Sequence, residues 1–380
     1  MTRDELQEEC IKSFDNSGTI VVPTGVGKTK IAGEISRRFK KVLVIVPRVN
    51  LKTQWEKEFK KWGVDVELST STRNSFKKIR EEFDLLIVDE IHGICTDKYK
   101  EIFRWIKRSS TLGLTATIPE DSEKLKILEE NCPIIYEKKL ENLPKGILSD
   151  FKIYNVPVNM GKKDAAKYKV FNANLVKAQV ALLKYRRENK LTEDSFDIAK
   201  ANLKEQTEIG KISRLFWSSM TMRRMVVSNS ESKIEAAVKI ISKFPDKKWI
   251  LFNESIELAE KIEKKLGEAG LKSRLVHSGI KNTEEILEEY RQNKFNILNS
   301  VKSLIEGTDV PDIEMGLCVS GSSTKLPMVQ SLGRIVRKSK DKKAVYINLF
   351  NKNTQEEKWV KKKTSHLSPI WVQNIQSISI

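Results

Sequence analysis

The sequence predicts two α/β domains in tandem, each a parallel sheet with helices on both faces, separated by a helical segment. Three observations carry this. Short, wholly apolar runs alternate with helix-length amphipathic stretches, the pattern of strands buried on both faces. That rhythm stops near residue 160 and restarts near Ser232. At 380 residues the chain is long for one core, and its 39% hydrophobic content suits packed domains.

In the first domain, Thr19–Pro23 (TIVVP) reads as a strand, followed by a glycine-rich turn and a helix over Lys28–Phe39. Lys41–Pro47 (KVLVIVP) is a second strand. Leu51–Trp62 is a helix with Leu51, Trp55, Phe59 and Trp62 on one face, a spacing that makes both tryptophans core residues and not platforms for bases. Asp84–Glu90 is a third strand, Tyr99–Lys107 a helix and Thr111–Ala116 a fourth strand. The second domain offers strands at Lys248–Asn253, Ser273–His277, Phe295–Val301, Ile313–Ser320 and Ala344–Phe350, and it has no P-loop of its own. Domain limits are expected at 1–157, 158–230 for the helical segment, 231–363, and 364–380 for a C-terminal tail.

The helical segment places Tyr168, Phe171, Leu175, Leu182 and Tyr185 at helical spacing, with a second candidate helix through Leu215, Phe216, Met220, Met222, Met225 and Val226. Lysines crowd its polar positions. It reads equally as a solvated hairpin and as a nucleic-acid clamp. The tail, loosely alternating Ile370, Val372, Ile375, Ile378 and Ile380, is expected to dock back on a domain or to offer an edge to a partner protein.

Lys and Arg number 69 against 51 Asp and Glu, a formal charge of +18. A surplus of this size favours a polyanionic partner, since each phosphate neutralised releases counterions. The four cysteines are far apart and form no CxxC pair, which disfavours a zinc site or a disulfide framework. No apolar run is long enough to span a bilayer, and the acidic start (Asp4, Glu5) is unlike a signal peptide. The expectation is a monomeric cytoplasmic or nucleoid-associated protein with no membrane partner.

Pro23-Thr24-Gly25-Val26-Gly27-Lys28-Thr29 follows a strand and opens a helix, the context a P-loop requires. Gly25 and Gly27 permit the tight turn that aims the backbone N–H groups of the loop, Thr24 and Val26 included, at phosphates. Lys28 would reach the β- and γ-phosphates of ATP, and the Thr29 hydroxyl would complete a Mg²⁺ shell. The first glycine of the usual pattern is Val22 here. Asp89-Glu90-Ile91-His92 ends an apolar strand expected to neighbour the P-loop strand. Asp89 suits a Mg²⁺ ligand, Glu90 a residue that orients and activates water, and His92 a coupler to the next motif.

PTGVGKT, DEIH and Thr115-Ala116-Thr117 resemble motifs I, II and III of the superfamily 2 helicases. Ile250–Asn253 resembles motif IV and His277-Ser278-Gly279 the strand-end element after it. Glu306-Gly307-Thr308-Asp309-Val310-Pro311 resembles motif V, and Gln330-Ser331-Leu332-Gly333-Arg334-Ile335-Val336-Arg337 motif VI. The resemblance spans nearly the whole chain. It implies two RecA-like lobes with ATP bound between them, Gly307 and Asp309 lining the nucleotide side, and Gln330, Arg334 and Arg337 acting across the cleft, where a guanidinium fork suits phosphate oxygens. Leu6–Ile11 resembles the adenine-reading element, which makes Gln7 the base contact. The family's arginine three residues earlier is Asp4 here, with Arg3 one residue off.

Arg48 in the motif Ia-like stretch, Arg73 in Ser69–Ser75, Thr117, Ser278, Lys302 and Thr308 are the expected nucleic-acid contacts, gripping backbone without reading sequence. Within the superfamily the chain most resembles DNA motors: restriction-enzyme motor subunits, transcription-and-repair translocases and phage branch-migration helicases. The expected substrate is therefore DNA, in duplex, forked or branched form. An RNA helicase, or an ATP-gated clamp that binds nucleic acid without unwinding it, stands as the alternative.

Overall fold

The structure is a computed structural model that describes residues 1–144, 146–301, 313–321, 328, 331–333, 335 and 343–379. In the first lobe, α1 (Arg3–Ser13) is held at its start by a reciprocal capping box between Thr2 and Glu5. β1 (Gly18–Val21) leads through the P-loop into α2 (Lys28–Ser36). β2 (Lys41–Val46) is buried over five of its six residues, and α3 (Asn50–Lys61) buries Leu51, Trp55 and Phe59 at i, i+4, i+8. β3 (Glu67–Thr72), β4 (Phe83–Asp89), the short α4 (Ile102–Trp105), β5 (Arg108–Thr115), α5 (Ser122–Asn131) and β6 (Ile134–Glu137) complete it. The strands form one sheet in the order β3-β2-β4-β5-β1-β6, every pair parallel. Parallel strands put all their carboxyl ends on one side, and the P-loop, Asp89 and Thr117 gather there.

The second lobe starts earlier than expected. β7 (Asp150–Val158) pairs along its whole length with β12 (Lys343–Asn351), so the division falls before Asp150 and not at residue 157. Pro157 disguised the strand, but it sits beyond the two residues, Tyr154 and Asn155, that β13 (Ile370–Trp371) pairs on the other side. With β8 (Trp249–Asn253), β9 (Ser273–Val276), β10 (Ile297–Val301) and β11 (Met315–Cys318), the order is β13-β7-β12-β11-β8-β10-β9, again all parallel. α9 (Glu231–Lys243), α10 (Ile256–Glu268), α11 (Thr283–Arg291) and α12 (Gln355–Thr364) flank it. The tail docks on this lobe: Tyr154 Oη donates to the Ser379 carbonyl (2.7 Å) and Lys243 Nζ to that of Ile378 (2.9 Å).

Between β7 and α9 lie three helices, not two: α6 (Lys162–Glu188), α7 (Ser195–Ala201) and α8 (Glu208–Ser228). They share a small core of their own through Leu175, Leu182, Ile198 and Phe216. Their base is tied to the second lobe. Gly161 N donates to Ser232 Oγ (3.0 Å), Arg224 pairs with Glu254 (2.7 Å), and the Asn351 amide donates to the Val227 carbonyl (3.0 Å). Under that junction Lys233 Nζ meets Glu356 Oε1 at 2.6 Å, with the two side chains 0% and 4% exposed. The other Glu356 oxygen accepts from the Asn351 backbone and side chain, both at 2.9 Å. Among the described residues no helix is long and apolar enough to cross a membrane.

Candidate active site

The P-loop forms because two glycines adopt what other residues resist: Gly25 at φ 96° and Gly27 at φ 104°, the latter capping α2 in the left-handed region. Gly27 is doubly constrained, since a Cβ there would stand 2.5 Å from Gln7 Nε2. Gln7, 3% exposed, donates from Nε2 to the Val26 carbonyl (2.7 Å), and Arg3 Nε donates to the same oxygen (3.0 Å). Arg3, one residue out of register with the family's arginine, still reaches the loop, because a long side chain in the first turn of α1 spans the offset. Gln7 Oε1 and Thr24 Oγ1 are buried beside this loop with no partner among the described residues, an arrangement that suits a ligand bringing its own donors and acceptors.

Asp89 closes β4. β5 lies between β4 and β1, so Asp89 is two strands from the P-loop and not on the adjacent one, as the sequence had suggested. Its carboxyl is pushed up to about 6, by burial first and then by the negative charge of Glu90, against the pull of Lys28 and a hydrogen bond from Trp55. Trp55 is the core residue its spacing predicted, 3% exposed, but its indole Nε1 also donates to Asp89 Oδ2 at 3.2 Å. Helical periodicity marks such a residue only as buried, so this bond was not legible in the sequence. Lys28 Nζ lies 3.3 Å from Glu90 Oε1. Glu90 sits at φ 51°, a left-handed conformation costly for a non-glycine residue and concentrated at functional sites.

From Glu90 a chain of contacts runs to motif III. His92 Nδ1 lies 3.4 Å from Glu90 Oε2 and 2.9 Å from Thr115 Oγ1. Thr115 Oγ1 donates to the Thr117 carbonyl (3.0 Å). Burial, the largest influence, holds the His92 pKa below its usual value. Arg73 turns inward: Nη1 donates to the Gly93 carbonyl (3.3 Å) and the guanidinium stacks 5.2 Å over Tyr99. It braces the turn after DEIH. Arg48 and Thr117 are half-buried at strand ends of the first lobe, and Ser278 is exposed after β9.

The second lobe comes directly against the P-loop at one point. A Cβ on Gly333 would stand 2.2 Å from Thr24 Cβ. Lys302, Gly307, Thr308, Asp309, Gln330, Arg334 and Arg337 lie outside the described residues.

No described cluster of three or more His, Cys, Asp or Glu residues could cage a metal by itself. One or two protein oxygens, as Asp89 and Thr29 offer, suit Mg²⁺, which keeps several waters and takes further ligands from phosphates. The residues therefore fit a Mg²⁺–nucleotide pair.

Two parallel-sheet lobes, one with a P-loop and the other meeting it across a cleft, define a two-lobed P-loop ATPase. Residues 3–75 and 65–120 match the family described as "Type III restriction enzyme, res subunit". Residues 232–339 match "Helicase conserved C-terminal domain". The chain is 28% identical over 373 residues to the "DNA 3'-5' translocase XPB2" of Sulfurisphaera tokodaii, covering 93% of this chain and 82% of that protein. It is 22% identical over 390 residues to the "Putative DNA 3'-5' helicase Rad25" of Haloarcula marismortui, covering 96% of this chain but only 55% of that one. The helicase domain of Pyrococcus furiosus Hef shares the fold at TM-score 0.59 and 18% identity, over 94% of this chain and 96% of that one. Together these matches support a superfamily 2 helicase or translocase, with a nucleic-acid-dependent ATPase activity implied by the relatives.

Proposed function

We propose that this chain is an ATP-driven DNA translocase or helicase that remodels duplex or branched DNA with little sequence preference. The observation that carries the reading is the 3.3 Å contact between Lys28 of the P-loop and Glu90, next to the half-buried Asp89. It supports Lys28 as a phosphate-binding cation, Asp89 as a metal-binding carboxylate and Glu90 as a water-activating carboxylate. The named relatives, a DNA translocase and a DNA helicase, support DNA as the track, as does the +18 charge. Along α6, Lys162, Lys163, Lys167, Lys169, Lys177, Lys184 and Arg187 are exposed, which suits backbone contact.

In this reading Gln7 recognises adenine, and the loop from Thr24 to Thr29 holds the phosphates. Asp89 and Thr29 would hold Mg²⁺, whose positive charge would offset the negative charge developing on the phosphate oxygens. Lys28 turns from Glu90 to the phosphates, and Glu90 accepts a proton from the attacking water. His92 and Thr115 carry the resulting shift in Glu90 toward Thr117. Arg334 and Arg337 reach the same phosphates from the second lobe when the lobes close, with Gln330, Gly307 and Asp309 lining that side. Arg48, Thr117, Ser278, Lys302 and Thr308 contact the sugar–phosphate backbone, and Arg73 positions the turn behind Glu90. The protein acts as a monomer.

The test is ATP turnover measured with single-stranded, duplex and forked DNA and with matched RNAs at one stated salt concentration. DNA should stimulate hydrolysis, and Glu90→Gln should abolish turnover while ATP stays bound. Stimulation by RNA alone would select the RNA helicase, and stimulation by no polynucleotide would end the motor reading.

A further inference from the structure

We infer that Trp55 is a positioning residue for Asp89: its indole N–H fixes which way the metal-binding carboxyl turns. This rests on the role proposed above for Asp89 and goes beyond it to the group that holds Asp89 in place. An aspartate carboxyl swings about two torsions, whereas a metal ligand must present one oxygen in one direction, and a neighbouring donor removes that freedom. Trp55 Nε1 donates to Asp89 Oδ2 at 3.2 Å, from an indole only 3% exposed. The indole itself has little room to move. It packs on Phe59, ring centroids 5.8 Å apart, on the buried face of α3 that also carries Leu51.

Of the three side chains on that face, Leu51, Trp55 and Phe59, only Trp55 carries a hydrogen-bond donor. Packing alone would be served by leucine or phenylalanine. The donor is spent on the half-buried carboxylate that closes β4. The two carboxylates of the site are thus held separately, Asp89 by Trp55 and Glu90 by Lys28. When Lys28 turns to the phosphates, Asp89 keeps its own anchor.

Trp55→Phe removes the N–H and keeps an aromatic ring; Phe59→Leu disturbs the same core without touching Asp89. ADP affinity is measured for each in EDTA and in Mg²⁺, with no polynucleotide present. Trp55→Phe should bind ADP in EDTA as the wild type does and lose about tenfold of the Mg²⁺-dependent gain, within the range seen when a group behind a metal ligand is removed. Phe59→Leu should keep that gain. An unchanged gain in Trp55→Phe, or an equal loss in Phe59→Leu, overturns the inference. A second measurement needs no folded Trp55 variant. In ¹⁵N-indole spectra of the wild type with ADP, Mg²⁺ should move one of the seven tryptophan resonances, and Asp89→Asn should shift that resonance and remove its response. Spectra in which no indole responds to either change refute it. Failure here leaves the polynucleotide assay unaffected, and failure of that assay leaves this comparison standing.

Discussion

Gly333→Ala should uncouple the lobes without harming either. The added Cβ would lie 2.2 Å from Thr24 Cβ and 3.0 Å from its Cγ2 and Oγ1, where ordinary contact begins at 3.4 Å. Thr24 cannot yield easily, because it belongs to the loop set by Gly25 and Gly27 in left-handed conformations. The lobes must therefore stand about 1.2 Å further apart at this point to regain contact distance. A misplacement of about 1 Å between catalytic groups costs on the order of 100-fold in rate. Turnover at saturating ATP and DNA should thus fall about 100-fold, equivalent to about 2.7 kcal/mol of barrier. Fluorescent ADP should bind within about threefold of the wild type, since the P-loop and Gln7 belong to the first lobe, and alanine in a helix should not lower the melting temperature. The clash is with a Cβ, so it should vanish in a Thr24→Gly background. Gly333→Ala should then cost far less there than in the wild type, a coupling read from a double-mutant cycle. Turnover of Gly333→Ala within threefold of the wild type, or equal losses in both backgrounds, would refute close approach at Thr24 as the geometry of catalysis.

Two further predictions concern stability. Glu356→Ala strands the buried Lys233 ammonium, which should cost about 3–5 kcal/mol and lower the second-lobe calorimetric transition by about 6–20 °C. Lys233→Met/Glu356→Leu removes both charges and should recover most of that loss, and a double variant no more stable than Glu356→Ala would contradict the account. The thiols of Cys10 and Cys95 are both pushed up to about 12, with burial the largest cause in each. The unfolded thiols ionise near 9, so their contribution is intact below pH 9 and is lost as pH rises from 9 toward 12. Melting curves between pH 8 and 11 should therefore fall less steeply for Cys10→Ala/Cys95→Ala than for the wild type; parallel curves would refute this.

What the sequence disclosed and what it hid follow from how far apart the cooperating residues lie. The P-loop and DEIH were legible because their chemistry is carried by neighbours in the chain: Gly25 and Gly27 set the turn that Lys28 and Thr29 complete, and Asp89 and Glu90 share a strand end. β3 was hidden because its sequence, ELSTST, is an edge strand of half-buried hydroxyls with no apolar alternation. Its end was read as suited to phosphate contacts through Arg73, and the hydrogen bond from Arg73 to the Gly93 carbonyl was not legible. The helix expected at Tyr99–Lys107 shrinks to Ile102–Trp105 because Arg108 starts β5 and its guanidinium donates to the Phe103 and Ile106 carbonyls. β7 went to the wrong lobe because only pairing with β12, almost two hundred residues away, shows where it belongs.

The nucleotide site divides along the same line. The groups proposed to reach the phosphates were named from local motifs, but the groups that hold them could not be. Trp55 lies 34 residues from Asp89 in sequence, and Gly333 approaches Thr24 from the other lobe. Arg3 shows the reverse error. Counting along α1 put the arginine in the wrong position, yet Arg3 Nε finds the Val26 carbonyl beside Gln7. A motif fixes residue identity where backbone must be placed to within an ångström, as at Gly27, and leaves latitude where a long side chain can make up the distance. That asymmetry explains why Gly25 and Gly27 hold their places beside Lys28 while the arginine drifts by one. It also predicts where substitutions are least tolerated in this site: at Gly27, where a Cβ would strike Gln7, and at Gly333, where it would strike Thr24.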